Sequence, residues 1–141
     1  MSEGFGGFKE TPKNAQELVG YIHSPEKLRE QDAETLPAFL GFKETPAMEV
    51  MRIRIIDAAQ TRNMETFVTE LNPYLIELDQ MLVGIADDKE RQFAEIGGML
   101  AETYFYYKFG DQDRVNEIFV QAVEKAYGEG HHDLAQFIDQ L

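Results

Sequence analysis

Residues 96–129 read IGGMLAETYFYYKFGDQDRVNEIFVQAVEKAYGE, and this stretch decides the fold. Apolar residues recur at helical spacing on both sides of Gly110-Asp111. A glycine ends a helix well because it tolerates a left-handed backbone. An aspartate straight after it caps the next helix. Two helices of similar length joined by so tight a turn pack antiparallel. The pattern therefore predicts a helical hairpin turning at residues 109–111.

Outward from the hairpin the pattern stays helical. Asp87-Asp88 opens the helix that reaches Phe109. After Asp111, Val115, Ile118, Phe119, Ala122, Val123 and Ala126 share one face. Gly128 and Gly130 end that helix, and Leu134, Phe137, Ile138 and Leu141 predict a closing one. Upstream, Met64, Phe67, Val68 and Leu71 form a stripe. Asn72-Pro73 is read as the cap of a separate helix with Leu75, Leu78, Leu82 and Ile85 inward. Residues 47–60 carry Val50, Met51, Ile55, Ile56 and Ala59. Residues 51–55 alternate like a strand, but Thr45-Pro46 is a helix start, so this segment is expected to be helical.

The first 45 residues differ, because Pro12, Pro25 and Pro37 punctuate them. Ala15, Leu18, Val19 and Ile22 predict one helix after Thr11-Pro12. Ser24-Pro25 predicts a short helical turn, with irregular connections around it. The expected organisation is a single domain over 1–141, with an irregular segment at 1–45 and a helical core at 46–141.

The hairpin resembles a tetratricopeptide repeat. That family has a 34-residue unit, with a large residue, a small residue and a Tyr along the first helix. Tyr106 stands at the Tyr position, and Phe119 and Ala122 match the second helix. Met99 stands where Trp is preferred, Thr103 where Gly is, Val115 where Ala is, and Glu102 where Leu is usual. The resemblance covers one repeat. It implies an all-α fold of stacked antiparallel hairpins, tetratricopeptide-like or an irregular bundle, that binds other proteins. In such folds the first helix of each pair lines a concave groove. The resemblance thus implies that Leu100, Tyr104, Tyr107 and Lys108 face a partner.

Composition bounds the alternatives. Hydrophobic residues make up 43% of the chain, which excludes a disordered composition. No apolar run reaches the length of a membrane span, and MSEGFGGFKETP lacks the basic start and apolar core of a secretory signal. There are no cysteines, so disulfides, cysteine nucleophiles and thiolate metal sites are excluded. The expected location is cytoplasmic. The net charge of −13 argues against nucleic acid and anionic membranes, and Arg52/Arg54 is too small a basic cluster to change that. Acidity suits a protein partner with a basic patch, although solubility alone also accounts for it.

GFKETP occurs twice, at residues 7–12 and 41–46. A chance match of this length in a chain this size is on the order of one in a thousand. One reading is a duplicated helix start, with Thr11 and Thr45 as caps and Phe8 and Phe42 beside the first turn. The other is a doubled linear epitope built on Phe8, Lys9, Phe42 and Lys43, which gains from bivalency.

No catalytic constellation emerges. The only serines are Ser2 and Ser24, and neither lies in a nucleophile elbow. Gly97-Gly98 lies inside a helical pattern and reads as a close helix approach, not a phosphate loop. Asp111-Gln112-Asp113 lacks the Gly and Glu of a calcium loop. Glu129, His131, His132 and Asp133 surround a glycine break, so no helix face fixes them and an exposed turn is expected. Neither a cofactor nor a metal is expected. The residues point to a non-catalytic adaptor or chaperone-like module that binds a peptide or helix of another protein. The alternative is an acidic inhibitor, an immunity protein or nucleic-acid mimic, acting on a basic partner.

Overall fold

The computed structural model describes residues 15–31 and 35–141. Among them there are eight helices and no strand. They are α1 (Ala15–Ile22), α2 (Pro25–Arg29), α3 (Leu36–Phe39), α4 (Pro46–Gln60), α5 (Met64–Val83), α6 (Asp88–Phe109), α7 (Gln112–Gly128) and α8 (His132–Asp139). The all-α expectation holds, and the segment that alternates like a strand lies within α4.

The helix starts read from sequence at Thr45, Asp87 and Asp111 are observed, and Asn63, not singled out from sequence, opens α5 in the same way. Thr45, Asn63, Asp87 and Asp111 each cap a helix by accepting a hydrogen bond from the backbone N–H three residues on. The α6–α7 hairpin turns as expected. Gly110 takes φ +97°, and the N–H groups of Gly110 and Asp111 both donate to the Tyr106 carbonyl. The Arg62 guanidinium donates to the Phe109 carbonyl and so ties the α4–α5 turn to the end of α6. A methyl group at Gly110 would collide with that guanidinium as well as strain the backbone.

α6 is the common wall of two apolar clusters. Phe93, Ile96 and Leu100 join α1, α2, α3, α7 and α8 through Leu18, Ile22, Leu28, Leu36, Phe39, Ala122, Ala126, Leu134 and Ile138. Ala101 and Phe105 join α4 and α5 through Met48, Ile55, Ala59, Phe67, Leu71, Tyr74 and Leu78. Gly97 and Gly98 make the close approach expected of them. A Cβ at Gly97 would sit 3.0 Å from the Pro37 carbonyl, and one at Gly98 would sit 2.9 Å from Leu78.

Three expectations are corrected. Asn72-Pro73 does not begin a new helix: α5 runs unbroken from Met64 to Val83 with Pro73 inside it. Phe67, Leu71, Tyr74 and Leu78 lie on one continuous buried face. Their burial offsets the lost hydrogen bond and steric cost of an interior proline, roughly 3 kcal/mol. Leu36-Pro37 does more than interrupt, because Pro37 sits in the first turn of α3. The inward face of α4 is also shifted. Met48, Ile55, Ala58 and Ala59 are buried, whereas Val50 is 51% exposed on the far side.

Candidate functional site

Among the described residues, a half-open cleft of about 600 Å³ lies between α3, the chain leading into α4, and helices α4, α5 and α6. Its apolar lining includes Phe42, Ile56, Ala101, Tyr104 and Phe105. Lys43, Glu44, Glu49, Arg52 and Tyr74 supply the polar lining, and Pro37 and Ala38 of α3 close one side. The size falls within the usual range of ligand sites, roughly 300–1,000 Å³.

Local folding rules bring these groups together. Gly41 takes φ +92° after α3 and turns the chain. Phe42 then drops into the core between Gly97 and Tyr74. Alternation puts Lys43 outside and turns Glu44 inward. Thr45 and Pro46 start α4, which carries Arg52 back over Glu44. The Arg52 Nε donates to both Glu44 oxygens, at 2.8 and 3.0 Å. The Tyr74 hydroxyl, from α5, donates to Glu44 Oε2 at 2.8 Å. Tyr74 itself is buried, edge-on to Phe105 with centroids 5.1 Å apart.

The electrostatics follow from that arrangement. Burial raises the Tyr74 phenol far above its ordinary value, and the hydrogen bond to Glu44 adds to the shift. The phenol therefore stays protonated and serves as a donor. The same carboxylate raises Arg52, chiefly through the hydrogen bond. The three groups thus engage one another through these hydrogen bonds.

The residues singled out by sequence land in different places. Tyr104 lines the cleft half-buried, with the Lys108 ammonium 5.2 Å from its ring centroid. Tyr107 is 62% exposed on the same stretch of α6. Leu100 does not accompany them. It is in the core, because one turn before Tyr104 the helix faces α1, α7 and α8. Phe42 is likewise core, which removes it as an exposed epitope, while Lys43 is exposed on the cleft rim. Phe8, Lys9 and Thr11 lie outside the described residues. Reading the sequence missed Tyr74 and Glu44 altogether and gave Arg52 no role beyond a small basic cluster. The available signal was the duplicated hexapeptide, since Glu44 belongs to its second copy.

The glycine break near the C-terminus is not simply an exposed turn. His131 is half-buried against Phe93, with centroids 4.5 Å apart, and its Nε2 lies 3.0 Å from Gln92 Oε1. Burial lowers its pKa from the ordinary imidazole value, against the pull of Glu129. His23 reaches Asp133 at 3.4 Å, so all three histidines line one small cavity of about 120 Å³. Among the described residues no three His, Asp or Glu side chains are arranged to hold a metal ion. Nor is any helix among them long and apolar enough to cross a membrane.

No family model, curated protein or solved structure matches this chain.

Proposed function

We propose that the protein is a non-catalytic interaction module that receives a peptide or helix of another protein at the α3–α4–α6 cleft. A cytoplasmic setting belongs to the same proposal and rests on the cysteine-free composition. The observation that carries the reading is the cleft itself: an apolar floor with a rim of Lys43, Arg52 and Tyr104, followed along α6 by exposed Tyr107 and half-buried Lys108. Tyrosine gives large, rigid contact area with a polar tip, and it is enriched among residues that dominate binding energy. The mutual engagement of Tyr74, Glu44 and Arg52 supports a site built to position and bind.

The test uses substitutions on the exposed side of the cleft. Ala38 is exposed on its lining, so Ala38→Trp fills the space without entering the core. Affinity capture followed by mass spectrometry is run with the native chain, Ala38→Trp and Tyr107→Ala. The expected result is a partner that the native chain retains and both variants lose, with unchanged thermal melts. Retention of every partner by Ala38→Trp would sink the assignment of this cleft.

A further inference from the structure

The described lining of this cleft is balanced in charge, two cations against two carboxylates, in a molecule of net charge −13. The chain carries 26 acidic and 13 basic residues. Among the described residues, five ionisable side chains other than tyrosine bear on the cleft: Lys43, Glu44, Glu49 and Arg52 in its lining, and Lys108 beside Tyr104. Glu44 is already engaged by Arg52 Nε and the Tyr74 hydroxyl. That engagement uses one edge of the guanidinium only. Among the described residues neither Nη of Arg52 donates a hydrogen bond, and the side chain is 39% exposed. Lys43 is exposed and forms no ion pair within the same set. Glu49 acts on Arg52 through space without a direct bond.

Resting on the cleft as the binding site, we infer that its occupant is an acidic linear peptide. One bulky apolar side chain fills the floor over Phe42, Ile56 and Phe105, and a neighbouring carboxylate meets Lys43 and the Arg52 Nη groups. A guanidinium whose Nε edge is held by a fixed carboxylate is oriented before binding, so little rotamer freedom is lost when its Nη groups engage. The apolar floor excludes water from that pair and strengthens it.

The physics sets an unusual salt dependence. An acidic peptide is repelled at long range by a chain of net charge −13, but held at short range by two cations. Salt screens interactions beyond a Debye length of about 8 Å at physiological strength and spares direct, partly buried pairs. Affinity should therefore stay level or rise with salt, whereas a basic partner would bind less tightly as salt increases.

A phage-displayed library of random dodecapeptides, selected on the full chain, provides the probe. The expected selection is enriched in Asp or Glu next to an aromatic or large aliphatic residue. The best peptide, labelled with fluorescein, should bind roughly tenfold more weakly to Lys43→Gln, the loss of one charge-assisted hydrogen bond. Lys43 is exposed, so this variant folds whatever the fate of the Arg52 network. Binding should also be lost in Ala38→Trp and not fall between about 50 and 300 mM salt. Selection of basic peptides would overturn the acidic-ligand inference and leave the interaction module standing. Acidic peptides insensitive to Lys43→Gln and Ala38→Trp would place their site elsewhere and overturn it too. Self-association of the native chain that Ala38→Trp abolishes would make a second copy the occupant, again overturning it. No enriched peptide at all would overturn both the inference and the module.

Discussion

Removing one oxygen atom from the core tests the polar network beneath the cleft. Tyr74→Phe keeps the ring, which is 1% exposed and packed edge-on to Phe105, so no cavity opens. What is lost is the 2.8 Å hydrogen bond to Glu44. A hydrogen bond to a charged group contributes roughly 1.5–3 kcal/mol. Glu44 retains Arg52 at 2.8 Å and is 21% solvent-accessible, so part of the loss is recovered. The expected destabilisation is about 1–2 kcal/mol, a fall in melting temperature of roughly 3–6 °C for a chain of this size. The measurement is urea unfolding followed by far-ultraviolet circular dichroism, with exposed Tyr107→Phe as control. Alkaline pH supplies a second readout. Above pH ~10 the unfolded chain releases the Tyr74 proton while the folded chain keeps it. Because the folded value is raised, the contribution is complete below the unfolded value and declines as pH rises. Tyr74→Phe should therefore flatten the alkaline loss of stability, and Tyr106, also raised by burial, accounts for a remaining slope. A variant within about 0.5 kcal/mol of the native chain, with the alkaline slope intact, refutes the network as described.

Thr45→Ala should cost about 1 kcal/mol, because the Thr45 hydroxyl accepts from the Met48 N–H at 3.2 Å at the start of α4; an unchanged urea midpoint removes the cap from the argument. Glu102 is held above its ordinary pKa mainly by burial, against the pull of Arg114 3.8 Å away. Its raised value means a contribution present below the unfolded value and lost as pH rises through the folded one, so the ionised form is a burden at neutral pH. Glu102→Gln should then raise stability at pH 7 by roughly 0.5 kcal/mol and flatten the dependence above pH ~4.5. A loss of more than ~1 kcal/mol would instead show that the Arg114 pair outweighs burial.

What the sequence disclosed about this fold is what local energetics determine. Asp87, Asp111 and Thr45 cap helices because the bond each forms reaches only three residues ahead. Gly110 turns the hairpin because only its own φ has to be left-handed. Pro73 misleads for the complementary reason. Its cost is local, but what offsets it is burial of Phe67, Leu71, Tyr74 and Leu78 against α4 and α6, which one helix cannot reveal. Val50 and Met48 exchange roles on the same account. A helix as apolar on several faces as α4 does not announce which face meets its neighbours.

The cleft lies further still from local pattern. Glu44 and Arg52 are eight residues apart, but Tyr74 is thirty residues from Glu44, and the floor comes from α6. Their meeting depends on how α4, α5 and α6 cross, and hydrophobic periodicity does not encode that crossing. The duplicated hexapeptide connects the two scales. In its second copy every position contributes something different. Gly41 turns the chain, Phe42 enters the core and Lys43 stands on the rim. Glu44 joins Arg52 to Tyr74, and Thr45 with Pro46 begins α4. A six-residue string therefore specifies a turn, an anchor, a charge and a cap in succession. That is why the string reads as a helix start in one dimension and as one edge of a cleft in three.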